Sequence, residues 1–202
     1  MFDCVDLCIE EGSKNCILGP TASGKSSLLK ILAKLIQPVE GTVHHASGIR
    51  IGYFDADVVE SILTEASLDE TPLDYLQKSF PKKPEEDLRA QLTSFGVSPK
   101  TAKTPIGYLS GGEKCRFVLS AIMTDEPPVL CLDNPTSHLD VESVQALIYG
   151  LRQWNGTLIM VSEDFHFLRS LENVKCTVIV PDEGKLRRVP HGIDSYLKSF
   201  KF

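Results

Sequence analysis

The sequence predicts an α/β fold: a mostly parallel sheet flanked by helices, plus a small helical lobe. Three observations predict it. Short apolar runs alternate with segments of helical period, the pattern that βαβ crossovers produce. Residues 57–108 break this alternation, with Pro72, Pro81, Pro84, Pro99 and Pro105 set between short helical patches. A glycine-rich octapeptide, GPTASGKS, stands between the first expected strand and the first expected helix.

Each element has a local reason. Lys14–Gly19 reads as a short buried strand, stopped by Gly19 and Pro20. Gly24–Ile36 carries apolar residues at 28, 29, 31, 32, 35 and 36, a helical period, and Pro38 is expected to end that helix. Thr42–Phe54 reads as a hairpin turning at Ala46–Gly48, with both arms rich in strand formers. Glu85–Phe95 is a helical patch of the lobe. Glu113–Thr124 is expected to form a helix directly after a Gly-Gly turn. PVLCL (Pro128–Leu132) reads as a strand, Val141–Trp154 as a helix, and Thr157–Ser162 and Cys176–Val180 as strands. Internal repeats and low-complexity tracts are absent from the sequence.

The bulk numbers exclude several classes. With 202 residues, 42% of them hydrophobic and 24% charged, the chain suits one folded domain rather than a disordered one. A net charge of −6 argues against coating nucleic acid by bulk electrostatics. The basic clusters Lys82–Lys83, Lys100/Lys103 and Arg187–Arg188 are read as solvated surface. Six cysteines show neither a CxxC pair nor zinc-like spacing. Reduced thiols and a cytoplasmic location are therefore expected. Apolar runs fall short of the ~18 residues that span a bilayer, so direct membrane insertion is not expected.

GPTASGKS, Gly19 to Ser26, matches G-x-x-x-x-G-K-[ST] in the strand-to-helix context that gives this pattern its meaning. Glycines let the backbone curl so that several N–H groups face one concavity. The helix starting near Gly24 adds the positive end of its dipole. Gly19, Pro20, Thr21, Ala22, Ser23, Gly24, Lys25, Ser26 and Ser27 are thus the candidate phosphate-binding residues. Lys25 would bridge the β- and γ-phosphates of a nucleotide, and Ser26 would ligate Mg²⁺ through its hydroxyl. Asp133, ending a strand about a hundred residues on, is the natural second anchor for Mg²⁺.

The segments GPTASGKS, YLSGGEKCR (Tyr108–Arg116) and LCLDNPTSHLD (Leu130–Asp140) together resemble the ATP-binding cassette family in order and spacing. LSGGE stands where that family has LSGGQ. Within the family the chain is similar to the non-transporter ABC-F type, and to the second of its two cassettes. KCR after the signature resembles the ABC-F KSR, and PTSHLD resembles PTNHLD; RIGYF and LTSFGV also look like ABC-F stretches. The resemblance implies a P-loop NTPase (RecA-like) core, residues 1–56 and 109–202, and a helical lobe, residues 57–108, in one nucleotide-binding domain, 1–202. It also implies that one cassette cannot complete a site. Ser110, Gly111 and Gly112 would serve, in trans, the ATP of a second cassette packed head to tail. Ser137 and Asp140 would lie at the seam, with His138 a seam or surface residue.

Three positions depart from the family pattern. The carboxylate expected after Asp133 as general base is Asn134. The glutamine expected just after GYF falls near Ala56, with Asp55 and Asp57 beside it. The switch histidine of VSHD is Glu163, in VSED, where it would bring negative charge toward phosphate. A positioned base contributes ~10²–10⁴ in rate. Retained anchors and lost hydrolytic groups point to a site that binds Mg·ATP and turns it over slowly or not at all.

The family usually stacks adenine on an aromatic some thirty residues before the P-loop lysine. Lys25 leaves no room for it, and Phe2 has the wrong spacing. A fragment of a longer two-cassette protein is the expectation, the partner cassette lying in that longer chain or in a homodimer. The ABC-F resemblance implies a ribosome-associated role in translation. The alternative is the ATPase subunit of a membrane ABC transporter, which KCR and SHLD speak against.

Overall fold

The computed structural model describes residues 5–137, 139–180, 185–190 and 192–199. Along them run β1 (Lys14–Leu18), α1 (Lys25–Leu32), β2 (Ile51–Phe54), α2 (Ala56–Glu65), α3 (Pro72–Ser79), α4 (Glu85–Ser94), α5 (Gly111–Thr124), β3 (Val129–Asp133), α6 (Val141–Gln153), β4 (Thr157–Val161), α7 (Phe165–Ser170), β5 (Lys175–Val180), β6 (Lys185–Val189) and α8 (Ile193–Ser199). Two 3-10 turns, Thr101–Lys103 and Ile106–Tyr108, precede α5.

The strands form one six-stranded sheet in the order β2-β3-β4-β1-β5-β6. β3, β4, β1 and β5 are mutually parallel, and β6 runs antiparallel to β5. All five residues of β4 are buried, which is why its sequence runs apolar without a break from Leu158 to Val161 rather than alternating. Register decides what the sheet can carry at its end. Val161 of β4 stands opposite Ile17 of β1 on one side and Asp133 of β3 on the other. The C-terminal ends of these three strands are therefore level. From β1 the chain crosses to β2 on one side, and from β4 it crosses to β5 on the other. Parallel sheets bind ligands outside their strand ends at such a reversal.

Two compact units divide the residues: Met1–Tyr53, Pro128–Pro135 and Asn155–Phe202 in the first, Phe54–Pro127 and Thr136–Trp154 in the second. In the first, α1 packs on β3 and β4, and α8 packs on α7 and β6. Leu29, Leu130, Leu132, Leu158 and Met160 are fully buried there. In the second, α5 packs against α2, α4 and α6. Phe117 of α5 is fully buried and meets the Tyr75 ring edge-on, centroids 5.3 Å apart. The Phe95 ring lies where Gly150 of α6 lacks a side chain; a Cβ there would come within 3.1 Å of it.

The fold corrects several expectations. The first helix ends at Leu32, well before Pro38, in a Schellman motif: Lys34 takes φ 64°, its N–H donates to the Ile31 carbonyl (3.1 Å), and that of Leu35 donates to the Lys30 carbonyl (2.9 Å). The expected hairpin over 42–54 supplies a strand only in its second arm, β2. Ala46–Ile49 does turn (Ile49 N–H to the Ala46 carbonyl, 3.3 Å). No residue of the first arm is buried, however, so its strand formers have no apolar face to hold them in a ladder. β6, α7 and α8 are elements that the sequence pattern did not announce.

Candidate functional site

The loop between β1 and α1 curls through three positive φ angles: Gly19 at 151°, Ala22 at 61° and Gly24 at 91°. A side chain at Gly19 has no space, since a Cβ would fall 2.9 Å from Ser23 Oγ and 3.1 Å from Ile179 Cβ. Gly24 caps α1 without a side-chain hydrogen bond, which leaves the N–H groups of the first turn without a capping acceptor. Ser26 and Ser27 are exposed on that turn. Ser23 Oγ is buried and has no hydrogen-bond partner among the described residues.

Lys25 lies in this loop with only 8% of its surface exposed. Its Nζ donates to the carbonyls of Gly19 (2.8 Å) and Pro20 (2.9 Å), and Glu163 Oε1 stands 3.4 Å away. The open first-turn amides, the buried Ser23 hydroxyl and the buried ammonium make a donor set complementary to phosphate oxygens. The residues present therefore fit a nucleotide triphosphate tail.

The level strand ends bring the other predicted residues of this unit alongside. Asp133 closes β3, half-buried. Asn134 follows at φ 47°, a left-handed conformation that asparagine tolerates. Its backbone N–H donates to the Val161 carbonyl (2.8 Å), and its Nδ2 donates to Asp133 Oδ1 (3.1 Å). The amide thus holds the Asp133 carboxylate and presents no group able to take a proton. Ser162 and Glu163 follow β4. Ser162 Oγ accepts from the Asp164 N–H (3.1 Å), and Asp164 caps α7. Glu163, though 67% exposed, turns its carboxylate to Lys25 rather than to water alone.

The remaining predicted residues lie in the second unit. Ser110 is the N-cap of α5 in a complete capping box with Glu113. Ser110 Oγ donates to Glu113 Oε2 (2.8 Å), and the Ser110 N–H donates to the same oxygen (2.9 Å). Those bonds to Ser110, the backbone one first, hold the Glu113 carboxyl below its usual range. Thr101 Oγ1 donates to its other oxygen (3.1 Å). A Cβ at Gly111 would meet nothing within 4 Å among the described residues, and one at Gly112 would stand 3.2 Å from Ser143 Oγ. Asp140 caps α6 by accepting from the Ser143 N–H (2.7 Å). Hydrogen bonds from Ser143, side chain before backbone, hold the Asp140 carboxyl below its usual range, with Arg116 3.9 Å away as a weaker cause. Ala56 is the first residue of α2, behind Asp55, a buried carboxylate that accepts from the Val58 N–H (2.8 Å). Ser137 is exposed. Phe2 and His138 lie outside the described residues.

Two features escaped the sequence reading. One is the Lys25–Glu163 pair, for which spacing in a linear chain offers no signal. The other is the cluster in which Arg116 Nη1 donates to Ser143 Oγ beside Asp140, joining the starts of α5 and α6. Aspartate three residues before Ser143 at a helix start is a capping pattern that could have revealed half of it.

The profile of the family described as ABC transporter matches residues 2–137. ATP-binding cassette sub-family F member 3 of Rattus norvegicus is 34% identical over 97% of this chain and 27% of its own length. The probable ATP-binding protein YheS of Escherichia coli K12 is 38% identical over 84% of this chain and 26% of its own. The chain thus spans about a quarter of the length of these relatives. Among solved structures, a dimeric bacterial ABC transporter cassette superposes with a TM-score of 0.73, covering 91% of this chain and 87% of that one at 22% identity, which shows the fold. No helix among the described residues is long and apolar enough to cross a membrane. The matched profile covers the cradle, the Ser-Gly-Gly turn and the Asp133 strand, and the chain belongs to the ABC transporter family, the ATP-binding cassettes, with F-subfamily proteins among its relatives.

Proposed function

We propose that this chain is one cassette, residues 1–202, that binds Mg·ATP in the Gly19–Ser27 cradle and hydrolyses it slowly or not at all. The observation that carries the reading is Asn134. Its side-chain amide donates to Asp133 where a general base would have to accept a proton. Amides of the cradle and Lys25 would hold the phosphates. Ser26 and Asp133 would hold Mg²⁺, which when bound supplies charge neutralisation between the phosphate oxygens. Bound nucleotide would act as a clamp rather than a fuel.

The cassette would pair head to tail with a second one, in a longer chain or a homodimer, and offer Ser110, Gly111 and Gly112 to that partner's nucleotide. Two observations support this role: the Ser110–Gly111 turn is exposed, and it opens a fourteen-residue helix, whose positive end favours phosphate. Membership of a two-cassette, ribosome-associated protein of the ABC-F type is supported by the motif resemblance and by relatives of roughly four times the chain's length.

The test is turnover. In the full-length protein, Asn134→Glu combined with Glu163→His should raise ATP hydrolysis about 10²-fold, the low end of what a positioned base supplies. An unmodified site that already matches the double variant would overturn the reading.

A further inference from the structure

We infer that Glu163 is a built-in counter-ion of Lys25, and that it sets how the cradle ranks nucleoside triphosphates against diphosphates. The inference deepens the proposed reading and rests on it. Three observations carry it. Lys25 Nζ is buried, and its two carbonyl partners bring only partial charges, whereas Glu163 Oε1 at 3.4 Å brings a full one. The register fixes that placement: Val161 lies opposite Ile17, so the loop after β4 emerges beside the loop after β1. Glu163 is also 67% exposed, so it can leave the lysine without breaking a packed structure.

A buried ammonium needs an anion beside it, and the carboxylate supplies one in the absence of nucleotide. Phosphates in the cradle compete with Glu163 for Lys25 and then face its charge. A triphosphate adds a further negative group at the distal end, so it meets more repulsion than a diphosphate. The histidine that the family pattern places here would have no such effect. Glu163 is thus a specificity-determining residue that narrows the advantage of triphosphate.

The test is calorimetry on the full 202-residue chain at fixed millimolar Mg²⁺, with ADP and a non-cleavable ATP analogue. The unmodified chain is compared with Glu163→Gln and Lys25→Ala. Glu163→Gln should tighten the triphosphate about five- to tenfold and ADP by about twofold at most, in keeping with a partly exposed charge. The difference should shrink at 1 M salt, where screening acts over about 3 Å. If Glu163→Gln shifts both dissociation constants by one common factor, or neither, while binding still depends on Lys25, this inference fails and the cradle reading stands. If the unmodified chain binds neither nucleotide, both fall.

Discussion

Burial keeps Lys25 beside the cradle carbonyls, and one exposed carboxylate, Glu163, answers its charge. Motif spacing revealed the lysine and the octapeptide because a phosphate nest is a local structure. The ion pair was not legible, since it depends on which strands become neighbours. Burial also governs the thiols. Desolvation pushes the Cys131 thiol up to about 12 and that of Cys176 to about 11, and raises Cys16 as well, whereas Cys8 is exposed. Thiolate is the reactive form. In the folded chain near pH 8, a disulfide reagent should therefore modify Cys8 and leave Cys16, Cys131 and Cys176 intact until denaturant is added. Peptide mapping checks this; rapid modification of Cys131 in the folded state would show that its strand opens.

At the scale of elements, the helix starts are strongly specified and the helix ends are not. The Thr71 hydroxyl and the Asp74 carboxylate form a full capping box on α3, with Pro72 at the first position. Thr71→Ala should cost about 1 kcal/mol in denaturant unfolding. Glu113 does the same for α5. Its folded value lies below the ordinary 4.5, so its stabilisation is present above that value and is lost as pH falls through the folded one. Glu113→Gln should flatten the acid limb of a stability–pH curve between roughly pH 5 and 3, and an unchanged limb would argue against the capping box. The stop of α1 had no sequence signal because a lysine, not a glycine, occupies the left-handed position at residue 34. Lys34→Gly should consequently stabilise the chain by up to about 1 kcal/mol, measured by thermal or urea unfolding. The failed first arm of the expected hairpin has a related cause. Strand propensity without a buried face does not hold a ladder.

For the whole molecule, the order of the sheet was legible only as a class. Alternating apolar and helical segments imply parallel crossovers, but not that β4 would lie between β1 and β3. That order levels Ile17, Asp133 and Val161, and so brings the Gly19–Ser27 loop, Asp133, Asn134 and Glu163 to one end of the sheet. β6 carries no fully buried residue, and α7 and α8 have six and seven residues, too short for a period to stand out from the pattern. The proposed grip of the Gly19–Ser27 amides and Lys25 on a triphosphate is tested by titration of Mg·ATP into the full chain, set against Lys25→Ala. Saturable binding of one ATP per chain, weakened about 100-fold or more by Lys25→Ala, is the predicted result. Absence of binding heat from the unmodified chain, or identical isotherms for the two proteins, would contradict it.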